Sequence, residues 1–333
     1  MELSHDYGFT RDGRSFVGRS GTLPSGNRCF HAAPHMAASK LNLDVPGAPP
    51  PAELATSLLD VWPRLVACPA TVSALMGVVG WSLVAPVMEA ATPGVSPLLA
   101  FLLGPSGQGK STQAGVVQCF FGDYRATLCA LPFTSTALSI EAESHFFRGA
   151  LMVLGDVKVS SIKQGGGAHV LGLIQRAGDR AERRRLTNTG EVDRARASRT
   201  TWLLEGEDVP VTDTSALARM LQIRLPAPLR NTDLAAELGK LMPYLPTLTR
   251  GLVLHLLETQ PWPRLGERYF ALCRALTELA GSAANGVRLA KHISAVVVGA
   301  EVWASFLATL GLAVPVDSDA LVQHLMVMGH ERG

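Results

Sequence analysis

Residues 104–111 read Gly104-Pro105-Ser106-Gly107-Gln108-Gly109-Lys110-Ser111, and Thr112 follows. A glycine, four residues and then Gly-Lys-Ser is the spacing of a backbone loop that cradles phosphate. Its glycines let the chain turn N–H groups inward, and the start of a following helix adds partial positive charge. Lys110 is then placed to reach the β- and γ-phosphates of a nucleotide, with the Ser111 hydroxyl offered to Mg²⁺. Residues 104–112 are therefore the expected binding loop, and ATP and Mg²⁺ the expected cofactors.

Three further groups would complete such chemistry. Asp156 ends the apolar run 150–155. A carboxylate at the C-terminal end of a buried strand can hold Mg²⁺ or its water shell, which makes Ser111 and Asp156 the metal candidates. Glu205 and Glu207 follow a second apolar run, 200–204, and are candidates to face the γ-phosphate and an attacking water. Arg219 lies between a short helix and a final strand, where it is either a cation for a neighbouring subunit's site or half of an intrachain ion pair.

These residues need a scaffold of alternating strands and helices. The continuous apolar run 98–103 reads as a buried parallel strand, and 111–120 as the helix after the loop. Residues 126–131 read as a second strand, and Thr134-Ser135-Thr136 as the cap of a helix over 137–147. The strand 150–156, a helix over 165–177, the strand 200–204, a helix over 216–219 and the strand 220–225 follow. Pro226 and Pro228 stop the last of them. Alternation of this kind predicts an α/β fold with a parallel sheet. Before it, residues 7–17 suggest a hairpin turning at Asp12-Gly13, and 46–51 a stiff proline-rich linker. His31 and His35 read as surface residues. Leu54, Leu58, Leu59 and Trp62 recur at helical spacing. From 231 onward, five apolar-periodic stretches predict a helical lid or bundle. The expected divisions are 1–51 (hairpin and linker), 52–92 (helical region), 93–230 (ATPase core) and 231–333 (helical lid).

Bulk properties narrow the class. Net charge is +2 and 47% of residues are apolar, so any nucleic-acid surface must be local and a large core is available. Five scattered cysteines show no metal-ligand spacing, and the N-terminus has no signal pattern, which predicts a cytoplasmic protein. Residues 66–88 are apolar enough to cross a bilayer. Their richness in Ala, Gly, Ser and Thr and the lack of flanking basic clusters favour a buried helical hairpin, and no membrane partner. The most basic stretch carries Arg176, Arg180, Arg183, Arg184, Arg185, Arg194, Arg196 and Arg199 around a hairpin with residues 188–190 at its tip. Arg183, Arg184, Arg185 and Arg194 are the candidates to track a nucleic-acid backbone. Interleaved Asp179, Glu182, Glu191 and Asp193 leave a solvated charged loop as the alternative.

One set of residues bears a family likeness. It comprises Gly80-Trp81-Ser82, Ala85-Pro86, the loop 104–111, residues 134–138, Gly155-Asp156-Val157-Lys158, residues 203–210 and Ser215-Ala216-Leu217-Ala218-Arg219. Over roughly residues 50–310 the chain resembles the ATPase domain of phage, plasmid and mobile-element replication proteins, the primase-associated and superfamily-3-like helicases. The resemblance implies a P-loop NTPase core of the AAA+/superfamily-3-like kind, with an added strand between the loop strand and the Asp156 strand. It also implies a homo-hexameric ring, single-stranded or forked DNA as partner, and Arg219 or an arginine among 194–199 inserted into the next subunit's site. A primase or origin-binding part is expected upstream, the start of this chain reading as that of a fragment. Two positions depart from the pattern. Gly155 stands where the family has the first of two acidic residues, and Glu205 where it has a small polar one. Glu141 and Glu143, on the intervening helix, are candidates to compensate.

The reading is thus an ATP-hydrolysing, DNA-translocating helicase module. The alternative is an ATPase switch that remodels protein partners without unwinding DNA. A small-molecule kinase would use the same loop, but the inserted strand and long helical C-terminus argue against it.

Overall fold

The structure is a computed structural model that describes residues 2–24, 26, 28–157, 166–180, 185–186, 192–193, 197–207, 214–226, 231–281 and 285–330. The chain opens with five short strands: β1 (Glu2–Ser4), β2 (Gly8–Phe9), β3 (Phe16–Gly18), β4 (Gly21–Leu23) and β5 (Arg28–Phe30). Strands β2, β3 and β4 form an antiparallel meander, and β1 runs parallel to β5. The β2–β3 pair is the hairpin the sequence predicts, with Phe9 opposite Phe16. Asp12 holds its turn by accepting a 2.6 Å hydrogen bond from the Thr10 hydroxyl. The segment is more than a hairpin and linker. Tyr7, Phe9, Phe16 and Phe30 are buried and meet edge to face at 5.2–5.3 Å, and Phe9 meets Trp262 of the helical region at 5.1 Å. Aromatic burial on this scale docks the N-terminal strands on the rest of the fold.

Two helices follow, α1 (Pro51–Val66) and α2 (Pro69–Ala91). The hairpin expected over 66–88 is instead one continuous helix, because Pro69 sits in the first turn, where its missing N–H costs nothing. Pro63 and Pro86 lie inside the helices rather than ending them. Every residue from 71 to 88 is buried. Both α2 and the later helix over 286–309 are long and apolar enough to cross a membrane, but most of their apolar surface is buried inside the fold. The two pack at Gly77, Gly80 and Gly299, where a side chain in place of any of these glycines would strike the facing backbone.

The remaining elements in order are β6 (Leu99–Leu103), α3 (Lys110–Cys119), β7 (Leu131–Pro132), α4 (Ala137–Phe146), β8 (Leu151–Val157) and α5 (Gly166–Asp179). Then come β9 (Arg185–Leu186), β10 (Val192–Asp193), β11 (Thr201–Gly206), α6 (Thr214–Leu217) and β12 (Leu221–Arg224). The helices α7 (Thr232–Leu241), α8 (Leu245–Thr259), α9 (Trp262–Ala280), α10 (Gly286–Thr309) and α11 (Ser318–His330) complete the chain.

Five strands form one sheet in the order β12-β6-β11-β8-β7, with every pairing parallel. Strand β11 therefore separates β6 from β8, the added-strand arrangement. The strand expected over 126–131 shrinks to β7. Residues 125–130 turn instead, with Leu128 at φ +56° and the Thr127 hydroxyl donating to the Cys129 carbonyl. Helix α4 starts as expected, with Thr136 accepting from the Ser139 N–H. Helices α2 and α3 both pack on the sheet, and α10 and α11 pack against β12.

Candidate functional site

Strand β6 delivers the glycine-rich loop to the C-terminal edge of the sheet, where residues 104–109 turn the chain into α3. Gly107 and Gly109 take φ of +78° and +75°, the left-handed region that glycine enters without strain. The glutamine amide of Gln108 folds back against Gly104, where a β-carbon would collide with its oxygen. Helix α3 begins at Lys110 with no side-chain cap, so its first N–H groups face the loop. Lys110 is buried and donates from Nζ to the Pro105 carbonyl at 2.8 Å, which curls the ammonium under the loop. The helix itself is pinned to the sheet. The Gln118 amide donates to the Leu151 carbonyl at 3.0 Å and accepts from the Val153 N–H at 2.7 Å, both on β8. The Trp62 indole N–H donates to the Gln113 side chain from α1.

A cleft of about 310 Å³ opens here, lined by Ser106, Lys110, Ser111, Asp156, Glu205 and Glu207 among others. The structure thus brings together the loop and the three acidic candidates. Their arrangement differs from the simple expectation of an Asp at a strand end. Between β11 and β8, Leu204 pairs with Leu154, but Gly206 pairs with Val157. Strand β8 therefore carries one extra residue opposite Glu205, a β-bulge of the kind that re-aims side chains. Asp156 sits on that bulge at φ +59° with an exposed side chain. Its N–H donates to Glu205 Oε1 at 2.9 Å, and the Ser111 hydroxyl donates to the same oxygen at 3.2 Å. Glu205 is buried, whereas Glu207, just past the strand, is half-buried. Cys129 adjoins them, a neighbour that no spacing in the sequence signals. Burial first, then the Glu205 carboxylate, push its thiol above the ordinary value.

Other candidates fall elsewhere. Arg219 precedes β12, so it lies at the N-terminal edge of the parallel sheet, opposite the glycine-rich loop. It binds Asp179 at 3.1 and 2.8 Å, and its stem lies over Gly178. Asp179, Arg288 and Lys291 join it in lining a second cleft of about 660 Å³. Sequence separation hides this grouping. Of the arginine-rich stretch, Arg176 pairs with Glu141 at 2.6 Å. Arg180 binds Glu89 and the carbonyls of Ser198 and Thr200. Arg199 binds Asp6 and the His145 carbonyl. These three are engaged within the chain, as Arg219 is with Asp179. The hairpin is present as the β9–β10 pair, with Arg185 opposite Asp193 in the backbone register. Arg183, Arg184, Arg194 and Arg196 lie outside the described residues. Glu141 and Glu143 do not compensate for Gly155: Glu141 holds Arg176, and Glu143 accepts from the N–H groups of Ala37 and Ala38 at 2.8 and 3.1 Å. Burial raises the Glu143 carboxyl above its usual range, against the lowering effect of those two N–H bonds. All five cysteines are unpaired, and no cluster of metal-ligating side chains occurs among the described residues.

A solved structure shares this architecture. The structure titled SCCmec type IV Cch, active helicase, superposes with a TM-score of 0.70 at 12% identity. The match covers 99% of this chain and 60% of that one, so the chain spans less than two thirds of that structure's length. Two structures of JCV helicase, one with a bound thiazolopyridine acetamide, match more loosely. Their TM-scores are 0.32 and 0.31, at 15% identity over 68% of this chain. No family model and no curated protein matches the sequence. The fold is accordingly a mixed α/β one, with a parallel sheet and flanking helices like that of a helicase structure.

Proposed function

We propose that the chain is an ATP-hydrolysing, DNA-translocating helicase module that works as a ring, most simply a hexamer, of identical subunits. Its setting would be the replication of a mobile element or phage, alongside a primase or origin-binding part. The observation that carries this reading is the convergence of loop 104–109, Lys110, Ser111, Asp156 and Glu205 in one cleft at the C-terminal edge of a parallel sheet. Binding at that edge is general for open α/β sheets. The residues fit a nucleotide triphosphate with a divalent cation. An uncapped helix start and a buried ammonium suit the phosphates, and a hydroxyl backed by a buried carboxylate suits the metal. When bound, Mg²⁺ neutralises charge on the phosphates. Lys110 would leave the Pro105 carbonyl for a phosphate oxygen, and Ser111 would face the cation. Asp156 and Glu205 are the groups able to orient or deprotonate water, with Glu207 at the rim.

Arg219 fits a role in trans. It lies at the opposite sheet edge from its own chain's loop, and a head-to-tail ring sets such edges against each other. Arg183, Arg184, Arg185 and Arg194 remain the proposed contacts to single-stranded or forked DNA. The superposition with a structure titled an active helicase supports the same reading at the level of fold.

A second reading has one observation in its favour. Arg176, Arg180 and Arg199 are engaged within the chain, which reduces the cation supply near the proposed DNA surface. An ATPase switch acting on protein partners would need no such surface. The decisive measurement is ATP hydrolysis with and without single-stranded DNA, for the wild type and Lys110→Ala. DNA stimulation that disappears in Lys110→Ala is expected. Lys110-dependent hydrolysis indifferent to DNA would select the switch.

A further inference from the structure

We infer that Glu205 is the metal-side positioning residue of this cleft, and that Asp156 is left as the carboxylate that faces water. Resting on the nucleotide-site reading above, the inference reverses the roles that strand position alone suggests. Three observations carry it. First, the Ser111 hydroxyl donates to Glu205. A serine hydroxyl has one proton and two lone pairs, so spending the proton on Glu205 directs lone pairs toward a cation. Second, the bulge in β8 hands the Asp156 N–H to Glu205 and leaves Asp156 exposed at the lining of the cleft. Third, the space beside Glu205 belongs to a glycine. A β-carbon on Gly155 would lie 3.1 Å from Cys129 Sγ and 3.4 Å from Glu205 Oε1. The Glu205 carboxylate, reaching across the strand pair from β11, thus occupies the room that Gly155 leaves.

The test measures binding of a fluorescent ATP analogue with Mg²⁺ and with EDTA. It also follows Mn²⁺ binding in the presence of ATP by electron paramagnetic resonance. Glu205→Gln keeps the hydrogen-bond acceptor and removes the charge. It is expected to lose at least about tenfold of the Mg²⁺-dependent gain in affinity and to weaken Mn²⁺ binding to match, with affinity in EDTA unchanged. Asp156→Asn is expected to retain the Mg²⁺ gain while hydrolysis falls. In a Ser111→Ala background, Glu205→Gln should add nothing further, which an effect on folding alone would not produce. The triple variant Gly155→Asp, Glu205→Asn, Cys129→Ala moves the carboxylate back to β8 and should recover the Mg²⁺ dependence even if Glu205→Gln folds poorly. Loss of the Mg²⁺ gain in Asp156→Asn but not in Glu205→Gln would overturn the assignment and leave the nucleotide site standing. No Lys110-dependent binding of the analogue in either buffer would overturn both.

Discussion

Where the five parallel strands end, Asp156, Glu205 and Glu207 gather round Lys110 and the Ser111 hydroxyl. Where the same strands begin, Arg180, Arg199 and Arg219 are each held by a carboxylate: Glu89, Asp6 and Asp179. The edges differ in how their charges are spent. At the start of the strands each guanidinium is matched to its own acid; Arg180 also binds the Ser198 and Thr200 carbonyls at the mouth of β11, and Arg199 the His145 carbonyl of α4. At the far edge a single Glu205 oxygen accepts from the Ser111 hydroxyl and the Asp156 N–H, and the lysine rests on a backbone carbonyl. The first pattern locks elements together, and the second leaves charge available to an incoming group. Arg219 is the exception on its edge, because it also borders an open cleft with Arg288 and Lys291. Complementary charge on opposite edges is the pattern a head-to-tail contact uses.

The largest effects should come from breaking the proposed head-to-tail contact. Arg219→Ala is expected to lower ATP hydrolysis by about 10³-fold, the scale of a cation supplied to a phosphoryl-transfer transition state. Lys110→Ala should lower it by at least about 10²-fold from the other side of that proposed contact. Mixing the two inactive variants sharpens the comparison. A site that joins an intact loop from one subunit to an intact Arg219 from the next recovers hydrolysis in roughly a quarter of random junctions of a 1:1 ring. Mixtures as inactive as their components would mean that Arg219 serves only its own Asp179, and the two edges would then be unrelated.

A second contrast, between the sheet edges and the helical core, predicts a change in stability rather than rate. Gly299 of α10 faces Gly77 and the Trp81 backbone of α2 too closely for any side chain. Gly299→Ala should cost about 1–3 kcal/mol in urea denaturation, as overpacking in a filled core does. Nucleotide affinity of the folded fraction should stay unchanged, since the substitution is remote from the loop. A cost below about 0.5 kcal/mol would mean that the two helices can separate without penalty.

The sequence was most readable where local rules suffice. Apolar runs located β6, β8, β11 and β12, helical spacing located the C-terminal helices, and the Gly-Lys-Ser spacing marked the loop. It was least readable where backbone conformation overrides pattern. Residues 126–130 have a strand's composition, but a left-handed Leu128 makes them a turn. The bulge at Gly155-Asp156 is equally silent in composition, because one extra residue in a strand leaves no periodic trace in so short a run. The aromatic packing of Tyr7, Phe9, Phe16 and Phe30 was hidden by a polar, glycine-rich stretch whose four aromatic residues are all buried. The partners of the arginine-rich stretch were equally hidden. Charge density suggests a surface, yet Arg180 and Arg199 reach partners more than 90 residues away in the chain.

The smallest expected effect tests whether the bonded edge is merely bonded. Arg199 donates to Asp6 at 2.6 Å, tying the N-terminal strands to the mouth of β11, but the Asp6 side chain is 56% exposed. A pair so open to solvent is screened, so Asp6→Asn should cost less than about 1 kcal/mol at pH 7. Burial by itself would raise the Asp6 carboxyl. The Arg199 guanidinium, with Arg148 and His145 behind it, outweighs burial and holds the carboxyl below its usual range. A depressed folded-state pKa stabilises above the unfolded value, and that stabilisation is lost as pH falls through the folded one. Urea denaturation of the wild type and Asp6→Asn should therefore differ at pH 7 and converge in strong acid. An equal difference at both pH values would assign the cost to packing of the N-terminal strands. A loss of several kcal/mol at pH 7 would mean that this edge, too, holds its charges where water does not reach them.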